Sequence, residues 1–153
     1  MNNNFSGYVG IVDIHIKRLE FALSHLKNIM PVDESGIKNM SDEAFMYFEV
    51  LTNRFSKLQD YLGGKIFDLC LQINKENYTN MSMIDKLNKL EKIGVIESVE
   101  FWDELRELRN HLTHEYPNHP EITAKYLNYT YNLSPQLISL AKYTISLLGE
   151  PKT

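Results

Sequence analysis

This 153-residue sequence contains only one cysteine. A single thiol, Cys70, cannot form an internal disulfide or a cysteine-based zinc cluster, and it is compatible with a reducing cytoplasm. The segment around it, Phe67 to Leu71, is mostly apolar. We therefore expect a cytoplasmic protein in which Cys70 is a buried core thiol rather than a nucleophile.

Glycine and proline are also scarce, at seven and five residues, which argues against a turn-rich all-β fold. No run approaches the roughly 18 apolar residues that a membrane-spanning helix requires, so we expect no membrane segment. The N-terminal stretch from Met1 to Phe5 lacks the basic start and apolar run of a signal peptide.

Positive charge is in slight deficit, with 16 lysines and arginines against 20 acidic residues and a net charge of −4. A non-specific nucleic-acid binder is expected to carry a basic surface, so that class is disfavoured. A nuclease with a small local positive site is still compatible with this balance. The length is that of one domain, covering residues 1–153, with 43% hydrophobic residues to build its core.

Helical periodicity extends over nearly the whole chain, since apolar residues recur every three or four positions. The spacing predicts an all-α, up-and-down bundle of about five helices. The expected helices run from about 5 to 30, from 42 to 73, from 82 to near 94, from 98 to 116, and from 120 to 149. A polar link should occupy residues 32–40.

Start and stop signals refine these helices. Ser41, Ser82 and Ser98 are expected N-caps. Gly63-Gly64 indicates a kink or the close approach of another helix. Pro135 lies inside the last helix and is expected to bend or split it.

Three of the five histidines, His111, His114 and His119, fall within nine residues. A metal site can be imagined from His111, His114 and Glu115, but a fourth ligand is missing. The Glu-x-x-His motif is absent as well, which disfavours a metal or small-ligand enzyme of the four-helix-bundle type. The other interpretation of this segment is a solvated helix end.

A second grouping in the same segment is Arg109, Asn110 and His114, with His114 expected in the last turn of the fourth helix. Arginine offers a permanent cation with a forked donor, and histidine transfers protons near neutral pH. On an ideal helix Arg109 and His114 are about 140° apart. They can share one phosphate only through the reach of Arg109, a distorted helix end, or a second copy of the chain.

The spacing Arg109-x4-His114-x-Tyr116 resembles the signature of HepT toxins in the HEPN superfamily. Two further segments, 53–60 and 96–106, are similar to the corresponding helices of HepT-like proteins. The resemblance covers roughly residues 40 to 120, over half of the chain.

This resemblance implies an all-α homodimer in which the arginine and histidine motifs of two chains face each other. It implies a metal-independent endoribonuclease toxin that needs no cofactor and acts on RNA. HepT toxins are paired with a minimal nucleotidyltransferase, the MNT antitoxin, which transfers AMP to the signature tyrosine. By motif position the modified residue is Tyr116.

The implied roles suit the residue types. His114 is the expected acid/base, Arg109 the phosphate clamp, and Asn110 a group that orients His114 or donates to the phosphate. Supporting or RNA-binding residues, each of which can instead belong to a solvated face, are Arg54, Lys57, Asp60, Arg106 and His111. Asp60 is expected to pair with Arg109 or Arg54, and His111 is a candidate second acid/base. The alternative function is a non-catalytic helical dimer that binds a nucleotidyltransferase partner or its substrate.

Overall fold

Residues 4–149 are described by a computed structural model, in which helices are joined by short links and no strand occurs within that range. The helices are α1 (Ser6–Leu26), α2 (Glu34–Lys38), α3 (Asp42–Tyr61), α4 (Phe67–Ile73), α5 (Met83–Lys92), α6 (Val99–His111) and α7 (Pro120–Gly149). The all-α class predicted from the periodicity is confirmed. Residues 1–3, which belong to the segment compared with a signal peptide, and residues 150–153 lie outside the described range.

The three serines expected to begin helices do so. The Ser41 hydroxyl accepts a hydrogen bond from the Ala44 amide at 3.1 Å, and Ser82 and Ser98 accept from amides three residues onward at 3.2 and 3.0 Å. Each bond satisfies a donor that the first helical turn leaves without a partner. Local sequence therefore sets where α3, α5 and α6 begin.

The long helix expected from 42 to 73 consists of α3, a π-helical turn at Leu62–Ile66, and α4. Gly63 and Gly64 lie in that turn. A Cβ on Gly63 would lie 2.9 Å from Cζ2 of the buried Trp102, whereas nothing lies within 4 Å of one on Gly64. The predicted close approach of another helix is confirmed, and Gly63 is the residue that permits it.

The end of the first helix and the link after it differ from what the sequence predicts. The first helix ends at Leu26 rather than near Met30, because the chain turns there and the Ile29 and Met30 amides both donate to the Leu26 carbonyl. The link 32–40 contains the short helix α2, capped by Asp33, which accepts from the Gly36 amide at 2.7 Å. Five residues are too few to produce a periodic apolar pattern.

The proline in the last helix does not split it, since α7 continues through Pro135 from Pro120 to Gly149. Pro135 is exposed, so the carbonyl that loses its helical donor lies on the solvent-facing side of the helix, where water can bind it. The Ser134 hydroxyl donates to the Thr130 carbonyl at 2.6 Å on the buried side. Of the two outcomes expected at Pro135, a bend or a split, the split does not occur.

Helix α3 is central to the packing, because it contacts α1, α6 and α7. Helix α7 lies against α1, α2, α3, α4 and α6. The largest fully buried side chains are Leu19, Leu26, Leu51, Phe55, Leu58, Leu62, Ile66, Phe67, Leu71, Leu90, Leu105 and Leu137. In the described part of the chain no helix is long and apolar enough to cross a bilayer.

An amide side chain fastens the link between α1 and α3. Oδ1 of Asn128 accepts from the Val32 amide at 2.8 Å, and Nδ2 of Asn128 donates to the Val32 carbonyl at 2.7 Å. Both main-chain groups of Val32, whose side chain is buried, are therefore satisfied by α7.

Cys70 is fully buried, and burial raises the pKa of its thiol to about 12. Because the thiolate is the reactive species, we expect the native protein not to react with an aromatic disulfide reagent at pH 8. Unfolding in guanidinium should release one reactive thiol per chain. Rapid labelling of the native protein would show that Cys70 is accessible and contradict the packing of α4.

Candidate active site

Helices α3 and α6 pack against each other at the candidate site. Gly63, in the π-helical turn after α3, lies against Trp102 on α6, and Asp60 on α3 lies against Arg109 on α6. The glycine contact, and the tilted packing of Trp102 on Phe67 of α4 at 4.5 Å between ring centroids, hold α6 against this stretch of the chain.

Arg109 is held by a two-pronged ion pair to Asp60. Nε of Arg109 donates to Oδ1 at 2.8 Å, and Nη2 donates to Oδ2 at 2.7 Å. The side chain of Arg109 is 29% exposed and that of Asp60 50%. This parallel geometry is the strong form of the interaction, and it fixes the plane of the guanidinium. Of the two partners that the sequence allowed for Asp60, Arg109 is the one contacted.

The carboxylate uses two of the five N–H donors of the Arg109 guanidinium. Three donors, on Nη1 and Nη2, can therefore serve an anion while the arginine stays fixed. Hydrogen bonding to Asp60 raises the pKa of Arg109 above its usual range, so the cation persists across the range in which proteins are folded. Asp60 also offsets the positive charge locally.

His114 is not in the last turn of the helix, as the sequence had led us to expect, because α6 ends at His111. The Thr113 hydroxyl donates to the Asn110 carbonyl at 2.7 Å and competes for the acceptor of the next helical bond. The amide of His114 reaches the His111 carbonyl at 3.2 Å instead. His114 thus follows the helix in a turn, and the ideal-helix angle of 140° to Arg109 does not apply.

The three residues predicted to be catalytic all reach solvent to some extent. Asn110 and His114 are exposed, and Arg109 is half-buried. All three belong to the end of α6 and the turn after it, a distorted helix end of the kind that the sequence left open. A surface site of this form is accessible to a long polymer.

Tyr116 forms part of an aromatic stack with α7. Its ring lies 5.8 Å from that of Tyr126 at an interplanar angle of 26°, and His111 stacks on Tyr126 at 4.6 Å and 18°. Stacking holds His111 and half-buried Tyr116 on one α7 side chain. The sequence analysis did not single out Tyr126, which stacks on both of the other rings.

The remaining predicted basic residues are placed differently. Arg106 forms an ion pair with Asp103 at 3.1 Å, the local partner that the sequence offered it. Arg54 contacts His15 of α1, with 3.1 Å between Nη1 and Nδ1. Lys57 is exposed one turn further along α3. The structure therefore does not join Arg54 to Asp60.

His15 is a residue that the sequence analysis passed over. It falls on the same face of α1 as the buried residues Val12 and Leu19. The helical period of the sequence therefore already indicated a polar ring among the core positions. Its neighbour Tyr61 meets it edge-on, with ring centroids 6.3 Å apart.

Two other features bear on the alternative interpretations, a metal site and a small-ligand site. Among residues 4–149 no three histidine, cysteine or acidic side chains are grouped to hold a metal ion, so the zinc interpretation finds no ligand set there. A cleft of about 650 Å³ opens beside α7, with Glu91, Phe101 and Tyr143 in its walls. None of the predicted site residues lines that cleft.

No family model, curated protein or solved structure matches this chain.

Proposed function

We propose that the chain is a metal-independent endoribonuclease toxin of the HEPN/MNT type that acts as a homodimer. The observation that carries the proposal is the Arg109–Asp60 pair, which fixes a guanidinium with three donors left for an anion. The exposed side chains of Asn110 and His114 follow within five residues. RNA cleavage without a metal requires a group that moves protons and a cation that stabilises the phosphoryl oxygens, and an imidazole and a fixed guanidinium can supply them.

The reaction uses the ribose 2′-hydroxyl as an internal nucleophile. Its oxygen attacks the adjacent phosphorus, the bond from phosphorus to the 5′-oxygen breaks, and the products are a 2′,3′-cyclic phosphate and a 5′-hydroxyl. One proton leaves the 2′-oxygen and one joins the 5′-oxygen, so two proton carriers act. His114 is one; the other is His111 or the same histidine in a second copy. Arg109 stabilises the charge on the non-bridging phosphoryl oxygens.

Tyr116 is the proposed acceptor of AMP from a nucleotidyltransferase antitoxin. Its stacking on Tyr126 keeps the phenol beside His111 and close in sequence to His114. An adenylyl group there adds bulk and negative charge next to the RNA site, which repels the substrate. Intact-mass measurement after incubation with ATP and the partner enzyme should show one added adenylyl group, and none on the Tyr116→Phe variant.

The direct test is digestion of a 5′-labelled single-stranded RNA by the purified chain in the presence of EDTA. We expect fragments ending in 2′,3′-cyclic phosphate, with activity that elutes together with the protein in size-exclusion chromatography. Fragments with 3′-hydroxyl ends, or cleavage that EDTA removes, would contradict the mechanism. Absence of cleavage at high enzyme concentration would reject the proposal.

Asp60 acts in this scheme as a positioning residue. Its replacement separates the effect on kcat, which depends on how Arg109 is held, from the effect on KM, which depends on charge. In Asp60→Asn, Arg109 loses the charged two-pronged partner, so we expect kcat to fall about tenfold. KM for RNA should stay constant or fall, because a negative charge is removed from the site. The ion pair lies at the surface, with the Asp60 side chain half exposed, and the thermal midpoint should therefore change little.

The matched control for this variant is Asp103→Asn, which removes the carboxylate paired with Arg106 on the same helix. It should leave both kinetic constants unchanged. Equal losses of kcat in the two variants would show that Asp60 acts only through its negative charge and not by positioning Arg109. Recovery of kcat in Asp60→Glu would support positioning.

The second candidate function is a non-catalytic helical dimer that binds a nucleotidyltransferase or its substrate. The observation that favours it is the neutralisation of Arg109 by Asp60, which weakens attraction for a polyanion. A stable complex with the nucleotidyltransferase, with neither AMP transfer nor RNA cleavage, would select this function over the first.

A further inference from the structure

Arg54 has an unusual partner for a half-buried arginine. Its Nη1 lies 3.1 Å from Nδ1 of His15, and within residues 4–149 the guanidinium forms no ion pair with a carboxylate. Arg106 and Arg109, in contrast, both have aspartate partners. The charge of Arg54 is therefore not offset by the contact that holds it.

The contact fixes the protonation of His15. A guanidinium only donates, so Nδ1 of His15 must accept, and the ring proton must be on Nε2. Burial, reinforced by the charges of Arg54 and Lys57, lowers the pKa of His15 and keeps this ring neutral. His15 thus holds Arg54 in place and has one N–H donor left.

Lys57 adds a second cation that forms no ion pair with a carboxylate in the described part of the chain. It lies three residues after Arg54, so the two occupy neighbouring turns of one face of α3, and Lys57 is exposed. Like charges at this spacing repel each other and do not stabilise a helix. Helix stability therefore does not explain the pair, whereas an anion between the two side chains would.

We propose that Arg54, held by His15, and Lys57 form a binding site for the phosphate group of a nucleotide or of an RNA strand. The donors are the guanidinium protons that His15 leaves unused and the ammonium of Lys57. A phosphate accepts hydrogen bonds from both side chains and supplies the missing negative charge. Because Nε2 points away from the Nδ1 edge of the ring, His15 positions Arg54 and does not itself contact the phosphate. The site lies between α1 and α3, whereas Arg109 lies between α3 and α6.

Where the phosphate belongs to RNA, the site deepens the proposed nuclease function and rests on it to that extent. Lys57 lies one turn before Asp60 on α3, so one strand that occupies the new site would also approach the Arg109 pair. A free nucleotide would occupy the new site alone.

The first measurement is nitrogen NMR of the histidine side chains in the full chain. Without ligand, Nδ1 of His15 should have the chemical shift of an unprotonated ring nitrogen, and Nε2 that of a protonated one. Inorganic phosphate and AMP should each move the Nδ1 signal of His15 in a saturable way, because the anion binds the guanidinium that donates to Nδ1. A protonated Nδ1 in the free protein, or a signal unmoved by either anion, would overturn the site.

The second measurement is RNA binding by fluorescence anisotropy, in EDTA and on a His114→Ala background that prevents cleavage. We expect Arg54→Gln to weaken binding about tenfold and Lys57→Gln about threefold. Each should reduce the slope of log K against log salt by about 0.7, the value for one phosphate contact on a single strand. Lys92→Gln, an equal loss of charge at an exposed position on α5, should change neither quantity.

The outcomes separate the possible ligands from the nuclease proposal. Response to AMP and phosphate without an RNA effect assigns the site to free nucleotides. RNA binding that depends on Arg54, without cleavage by the wild type, keeps the site and rejects the nuclease. The site is overturned if every anion binds equally well to three variants, Arg54→Gln, Lys57→Gln and Lys92→Gln. If Arg54→Gln does not fold, the result for Lys57→Gln, a change at an exposed position, decides whether the site exists.

Discussion

Replacement of His114 by alanine is expected to lower the rate of RNA cleavage by about 10²–10⁴-fold, the range for loss of a general acid or base. The ring is exposed in the turn after α6, so its removal should leave the free energy of unfolding within about 0.5 kcal/mol of the wild type. The measurement is the initial rate on labelled RNA in EDTA, together with a thermal melt of each protein.

His119 supplies the matched control for this variant. It is exposed in the same connection between α6 and α7, and its Nδ1 lies 3.2 Å from a carboxylate oxygen of Glu121. His119→Ala should retain the wild-type rate. Equal rates for wild type and His114→Ala would remove His114 from the mechanism, and a loss in both variants would point to the connection rather than to one imidazole.

Replacement of Gly63 by alanine is expected to destabilise the protein by about 1–2 kcal/mol. The added Cβ would lie 2.9 Å from Trp102, whose ring is buried against Phe67 and cannot move aside freely. Overpacking of this kind costs about 1–3 kcal/mol, part of which is offset by the lower flexibility of alanine in the unfolded chain. For a chain of this size the thermal midpoint should fall by about 2–8 °C.

Gly64 tests whether this loss comes from the contact or from the π-helical turn. A Cβ there meets nothing within 4 Å, so Gly64→Ala should leave stability unchanged or raise it by up to about 1 kcal/mol. If both variants lose the same stability, the turn itself requires glycine, and the contact with Trp102 is not the cause.

The elements that the sequence predicted correctly depend on nearby residues. The caps at Ser41, Ser82 and Ser98 act over three residues, and the apolar periods that define α3 and α6 repeat within each helix. The apolar period does not predict where α6 ends, because the end depends on which donor binds the Asn110 carbonyl. The Thr113 hydroxyl donates to that carbonyl, and the helix therefore ends before the turn in which His114 was expected.

The candidate site shows where sequence reasoning stops. Asp60 and Arg109 are 49 residues apart, and the sequence could name Asp60 as a partner without choosing between two arginines. That choice depends on how α6 packs on α3, which Gly63 permits. The contact of Arg54 with His15 needed the packing of α1 on α3, and no local pattern predicts which donor faces which acceptor.

The link from α1 to α3 is tied to α7 through Asn128, and this has a consequence for solvent exchange of main-chain protons. Because Asn128 accepts the proton of the Val32 amide, that proton can exchange with water only after the bond opens. A residue outside every helix should then exchange slowly, at a rate that reports how firmly the connection and α7 are held together.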